Sequence, residues 1–182
     1  MEDVRERKPY NDRLARILFI PLLCIFGLLF VTFFVAYSPF RVAGPSMLPT
    51  LHEGDRLLVT RGYKRPIRGD VIVFQMAEGN VSEELVKRVI AIPGDWISTR
   101  DDHATVNGRL ESASGLLVGS LDPPTPQVLV PAGFIFVMGD NRADSMDSRD
   151  FGLVPLTAVR GRAVAVFSPV TRIRRIRSTH VQ

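Results

Sequence analysis

LVKRVIAI, Leu85 to Ile92, decides how this chain reads. Its valines and isoleucines favour a strand, and the two-residue period of a strand sets Lys87 on one face with Leu85 and Val89 while sending Arg88 to the other. A lysine held between two aliphatic side chains loses hydration, which disfavours the ammonium and lowers its pKa. A neutral amine is what a general base requires at ordinary pH. The plainer reading is a lysine whose stem lies on apolar neighbours while its ammonium reaches water at the strand edge.

Outward from this strand the same texture recurs. DRLLVT from Asp55, DVIVFQM from Asp70, DWIST from Asp95, HATV from His103, FIFVM from Phe134 and GRAVAVF from Gly161 are short runs broken by turn residues, without a long stretch of helical period or an internal repeat. Asn107-Gly108, between Val106 and Arg109, predicts a two-residue hairpin turn. From Glu111 to Pro126 the chain turns to Ser, Gly, Leu and Pro, including Pro123-Pro124, and reads as a loop or a small excursion from the sheet. The expectation is a mainly β fold, a compact antiparallel sheet or barrel-like domain.

Ahead of it, residues 17 to 40 carry no charge, and the apolar run ILFIPLLCIFGLLFVTFFVAY would span roughly 31 Å as a helix, enough to cross a bilayer. A cleaved leader is the competing reading, but Phe34 occupies the position three back from a cut after Ala36 and spoils the small-X-small pattern. Arg5, Arg7, Lys8, Arg13 and Arg16 precede the span, whereas Arg41 and Arg56 follow it, so the N-terminus is expected in the cytoplasm. The division is a cytoplasmic segment 1–16, a transmembrane anchor 17–38 and an extracytoplasmic β domain 39–182.

Of the 182 residues, 46% are apolar and 23% charged, with a net charge of +4 spread over scattered arginines and no aromatic–basic pattern, which argues against nucleic acid as a partner. Cys24 is the one cysteine and lies in the apolar run, and His52, His103 and His180 fall at no ligand spacing, so no metal site is expected. The segment TRIRRIRSTHVQ from Thr171 is basic, either a solvated face or a contact for anionic lipid.

Two further stretches carry chemistry. In RVAGPSMLPTL, Arg41 to Leu51, Pro45 and Pro49 stiffen the chain around Ser46 into a largely extended segment; Ser46 is then a turn residue or a nucleophile. A serine needs a base, and the neighbouring His52 sits in a loop-like LHEGD with no acidic partner at a persuasive position, so a serine–lysine pair is the better chemical proposal. GDNRADSMDSRDFG, Gly139 to Gly152, follows an apolar run; it is either a self-bonded loop or a support in which Ser145 bonds an amine while Asp147 and Arg149 pair to brace it.

Together and in this order, GPSMLPTL, GDRLLV, RGDVIVF, LVKRVIAIPGD and GDNRADSMDSRDFGLVP resemble the boxes of the bacterial type I signal peptidases, membrane-anchored serine–lysine proteases that remove signal peptides from exported proteins. The resemblance covers roughly residues 40–95 and 131–168. It implies Ser46 as nucleophile, Lys87 as general base, Ser145 orienting the lysine amine, and Asp140, Asp147 and Arg149 holding that region together. It also implies small-residue pockets lined by the chain around Phe40, Val42, Met47, Leu85 and Val86, cleavage after Ala-X-Ala, no cofactor, and as partners the bilayer and signal-peptide-bearing preproteins emerging from the export machinery. Many Gram-negative members place a serine two residues before the nucleophile to bind the oxyanion. Here that position is Gly44 and Pro45 has no N–H, so the Ser46 N–H is the expected donor, with Gly44 as the site of an undetermined second. A specialised peptidase for one substrate, such as a conjugative pilin, is an alternative; a catalytically silent anchored β domain that binds export partners is another, although neither dyad residue is lost.

Overall fold

The computed structural model describes residues 12–78, 81–100, 103–111 and 126–178. The chain divides into two compact units, residues 1–36 and 37–182.

The first holds α1, Asp12–Ala36, in which Ile17–Ala36 has a mean hydropathy of 2.8, long and apolar enough to cross a membrane. The helix ends two residues before the expected boundary at 38. Pro39 explains this, because the residue before a proline avoids helical geometry and the chain turns extended at once.

The second unit is built from antiparallel pairs. Its strands are β1 (Tyr37–Arg41), β2 (Arg56–Arg61), β3 (Val71–Glu78), β4 (Val81–Ala91), β5 (Trp96–Arg100), β6 (His103–Val106), β7 (Arg109–Leu110), β8 (Val128–Leu129), β9 (Phe134–Met138), β10 (Val154–Pro155), β11 (Val159–Ser168) and β12 (Arg174–Arg175), with one short helix, α2 (Ser148–Phe151). The large sheet runs β1-β2-β11-β3-β4-β9-β10 with β12 on β11, and the small one runs β7-β6-β5-β8. All seven expected strands are present. Strand β1 is an edge strand, which is where a sheet tolerates a proline such as Pro39. The Asn107-Gly108 turn is also as expected: both residues have positive φ, 52° and 78°, which suits the twist of a tight hairpin.

Why β3 opens on an unbroken apolar run, Val71 to Phe74, is clear from its neighbours. Val71 and Val73 pack on one face with Val42, Met47, Leu51, Leu57 and Val86, whereas Ile72 and Phe74 pack on the other with Val89, Ile135, Val137 and Val154. Both faces are covered, so no polar residue is needed. A third cluster joins the sheets through Ile90, Ala91, Ile97, Val106 and Met138. Strand β4 contributes to all three clusters because its register shifts between Val89 and Ala91.

The basic segment from Thr171 is not a purely solvated face. Arg172 pairs with Asp55 at 2.8 Å, the Ile176 N–H donates to the Val164 carbonyl at 2.9 Å, and the Ser178 hydroxyl donates to Asp70 at 2.6 Å. Asp55 and Asp70 are fully buried, and carboxylates out of water demand such partners. Residues 179–182 and the stretch 112–125 of the expected loop lie outside the described residues, as do the basic residues Arg5, Arg7 and Lys8.

Candidate active site

Ser46 lies on a turn, not on the extended segment that the flanking prolines suggested. Gly44 has φ of 74°, which reverses the chain, and the Leu48 N–H then donates to the Pro45 carbonyl at 3.0 Å. Met47 and Leu51, both fully buried, root this turn in the core. From the far side Asn141 clamps it: its backbone N–H donates to the Ser46 carbonyl at 3.0 Å and its side-chain amide to the Pro45 carbonyl at 3.3 Å. The Ser46 N–H has no acceptor among the described residues.

Lys87 stands opposite Ile72 of β3 and is only 3% exposed. Among the described residues no hydrogen bond or ion pair holds its amine. Burial is the main cause that depresses its pKa below the ordinary lysine range; the Asp147 carboxylate opposes this and the Arg149 guanidinium adds to it. Arg88, on the opposite face as the strand period required, makes a two-pronged pair with Asp140, at 2.7 Å from Nε and 2.5 Å from Nη2, and donates to the Gly69 carbonyl at 2.8 Å. Arg88→Met would strand the fully buried Asp140 carboxylate and is expected to cost about 3–5 kcal/mol in a denaturant melt of the solubilised protein.

Ser145 is half-buried and donates its hydroxyl to Asp147 Oδ2 at 2.9 Å. Asp147 also accepts from the Gly139 N–H at 2.9 Å, pairs with Arg149 at 2.9 Å, and caps α2. Burial alone would raise its pKa, but the Arg149 guanidinium and these N–H donors outweigh that and hold it below the usual carboxylate range. Arg149 then donates to the Arg142 carbonyl at 2.7 Å, and Arg142 makes a buried pair with Glu111 at 2.8 Å.

Gly139 brings the three stretches together. Arg88 is in register with Met138, so continuing one residue sets Gly139 level with Lys87. A side-chain carbon on Gly139 would lie 2.5 Å from the Ser46 carbonyl oxygen and 2.6 Å from Ser145 Cβ, and closer still to Ser145 Oγ. The Ser46 turn and the Ser145 loop therefore close over one glycine.

Ser46 and Lys87 line one cleft of about 590 Å³. Leu85 and Pro45 share it, with Met76, Glu83, Asp144 and Met146, which sequence reasoning did not single out. Met76 and Glu83 were accessible in principle, since they are in register across β3 and β4 on the face that carries Leu85. Val42, Met47 and Val86, expected on the pockets, are packed in the core with Phe40 against them. Asp140 braces the other face of β4 through Arg88, whereas Asp147 and Arg149 brace Ser145. Among the described residues no group of His, Cys, Asp or Glu could hold a metal ion.

The chain belongs to the signal peptidase family, peptidase S26, whose model matches residues 13–168. Several of its relatives in that family carry the name Signal peptidase I. It is 38% identical to Signal peptidase I of Bacillus licheniformis over 156 residues, 76% of this chain and 81% of that one. To Signal peptidase I of Bacillus caldolyticus it is 40% identical over 142 residues, 69% of this chain and 76% of the other. A solved signal peptidase I from Enterococcus faecalis is 33% identical, with a TM-score of 0.44, over 54% of this chain and 97% of that one.

Proposed function

We propose that this signal peptidase cuts preproteins with Ser46 as nucleophile and Lys87 as general base. The observation that carries the reading is a buried amine without a partner among the described residues, its pKa depressed, in the cleft that holds Ser46. The neutral amine takes the Ser46 hydroxyl proton as Oγ attacks the scissile carbonyl carbon. Charge developing on the carbonyl oxygen is met by the unpaired Ser46 N–H. The ammonium returns the proton to the leaving amine as the peptide bond breaks. The resulting ester is hydrolysed by a water that Lys87 deprotonates in turn, restoring Ser46. Because the Ser145 hydroxyl donates to Asp147, its lone pairs are free to accept from the lysine amine and aim it.

Strand β4 pairs with β3 from Val81 to Arg88 but with β9 only from Arg88 to Ala91, so its edge ahead of Arg88 carries no strand among the described residues. An extended substrate fits that edge by strand addition, with Leu85 beside small residues at the first and third positions before the cut. Helix α1 is the anchor, crossing the plasma membrane once with its N-terminus in the cytoplasm, so that preproteins reach the cleft as they leave the export machinery.

A precursor with an Ala-X-Ala site, incubated with the protein in detergent, should be shortened after the second alanine by the wild type and left whole by Ser46→Ala. Cutting by the pure alanine variant would overturn the assignment. Ser145→Ala is expected to lower kcat about 100-fold with KM little changed, the split that separates aiming the base from binding substrate.

A further inference from the structure

We propose that Glu83 forms a cation-accepting subsite that selects preproteins carrying a basic side chain about four residues from the scissile bond. The proposal rests on the Ser46–Lys87 reading and on substrate lying along the free edge of β4. Glu83, Leu85 and Lys87 are two residues apart along one strand, so they share a face, and all three line the cleft. Four positions of strand separate Glu83 from Lys87, roughly 13 Å, the span of four substrate residues in the neighbouring lane. The Glu83 side chain is exposed and without an ion pair or hydrogen bond among the described residues.

The charge balance of the cleft points the same way. Among the described residues that line it, Lys87 is the one cation and must be neutral to act as a base, whereas the other charged ones, Glu83 and Asp144, are both acidic. An enzyme poised for attack therefore presents a negative cleft, which attracts a substrate cation and repels an anion. Met76, opposite Glu83, and Leu85 offer apolar surface for the stem of a lysine or arginine whose head reaches the carboxylate.

The test walks a single lysine, then a single glutamate, through successive positions on both sides of an Ala-X-Ala site and measures kcat/KM for the full-length protein in detergent. For the wild type, lysine should exceed glutamate about 3-fold at the position four residues from the cut on the side that lies along β4, and the difference should shrink at high salt. Glu83→Lys should reverse the preference at that position. A flat scan in both proteins, with Ser46-dependent cleavage intact, overturns the subsite; cleavage that no longer needs Ser46 overturns the underlying reading instead.

Discussion

Lys87→Met is expected to abolish cleavage and yet give a more stable protein at neutral pH. Lys87 is 3% exposed and burial depresses its pKa, so the folded state resists the proton that the unfolded chain binds freely. In the interval between the depressed value and the ordinary lysine value, the unfolded state binds more protons, and wild-type stability falls as pH is lowered through it. Below the depressed value the full penalty is present, and above the ordinary value it is gone. Methionine has similar length and no charge to desolvate, so the variant escapes the penalty. Its midpoint of thermal unfolding should rise by about 2–8 °C near pH 7, with the gain vanishing above the ordinary lysine range. Melts of the two detergent-solubilised proteins across pH would check this, and a variant less stable than wild type at every pH would show that Lys87 is held as a structural cation.

Gly139→Ala is expected to remove activity by about 100-fold or more while the domain stays folded. The added methyl would press on the Ser46 carbonyl and on the Ser145 side chain, so either the Ser46 turn or the Ser145 loop must shift by about 1 Å. A misplacement of about 1 Å is enough for a loss of this size. Gly161→Ala is the informative companion, because its methyl would meet Val59 Cγ1 at 2.6 Å and the Thr60 backbone, inside the sheet and away from the cleft. That variant should lose stability first, and a denaturant midpoint measured beside kcat for both proteins separates the two outcomes. Equal activity in Gly139→Ala and wild type would mean that the turn and the loop have more room than their contact over Gly139 implies.

Much of the fold was legible because β strands buried on one or both faces leave plain patterns, as DVIVFQM and LVKRVIAI do. The two-residue strands β7, β8, β10 and β12 are too short to carry a period, and β1 was hidden in the end of an apolar span and by Pro39. The return of residues 172–178 onto the sheet could not be read either, since the partners that draw it in, Asp55 and Asp70, lie more than a hundred positions away. Of the candidate site, Ser46 and Lys87 could be singled out in the sequence by residue type and setting, and they line one cleft. Asn141 and Gly139 could not be, because one acts through a backbone clamp and the other through the absence of a side chain, and both roles exist only once β4 and β9 are in register.

Strand β11 lies between β2 and β3 in the large sheet, although nearly the whole domain separates them in the chain. During synthesis, β2 therefore has only β1 to pair with, and the core beneath the Ser46 turn lacks Ala163 and Val166, until residues 159–168 have been made. So high a contact order makes folding slow and late. A nascent chain that stops short of β11 thus carries the candidate site on an unfinished sheet, and the core beneath Ser46 is complete only when β11 closes the gap.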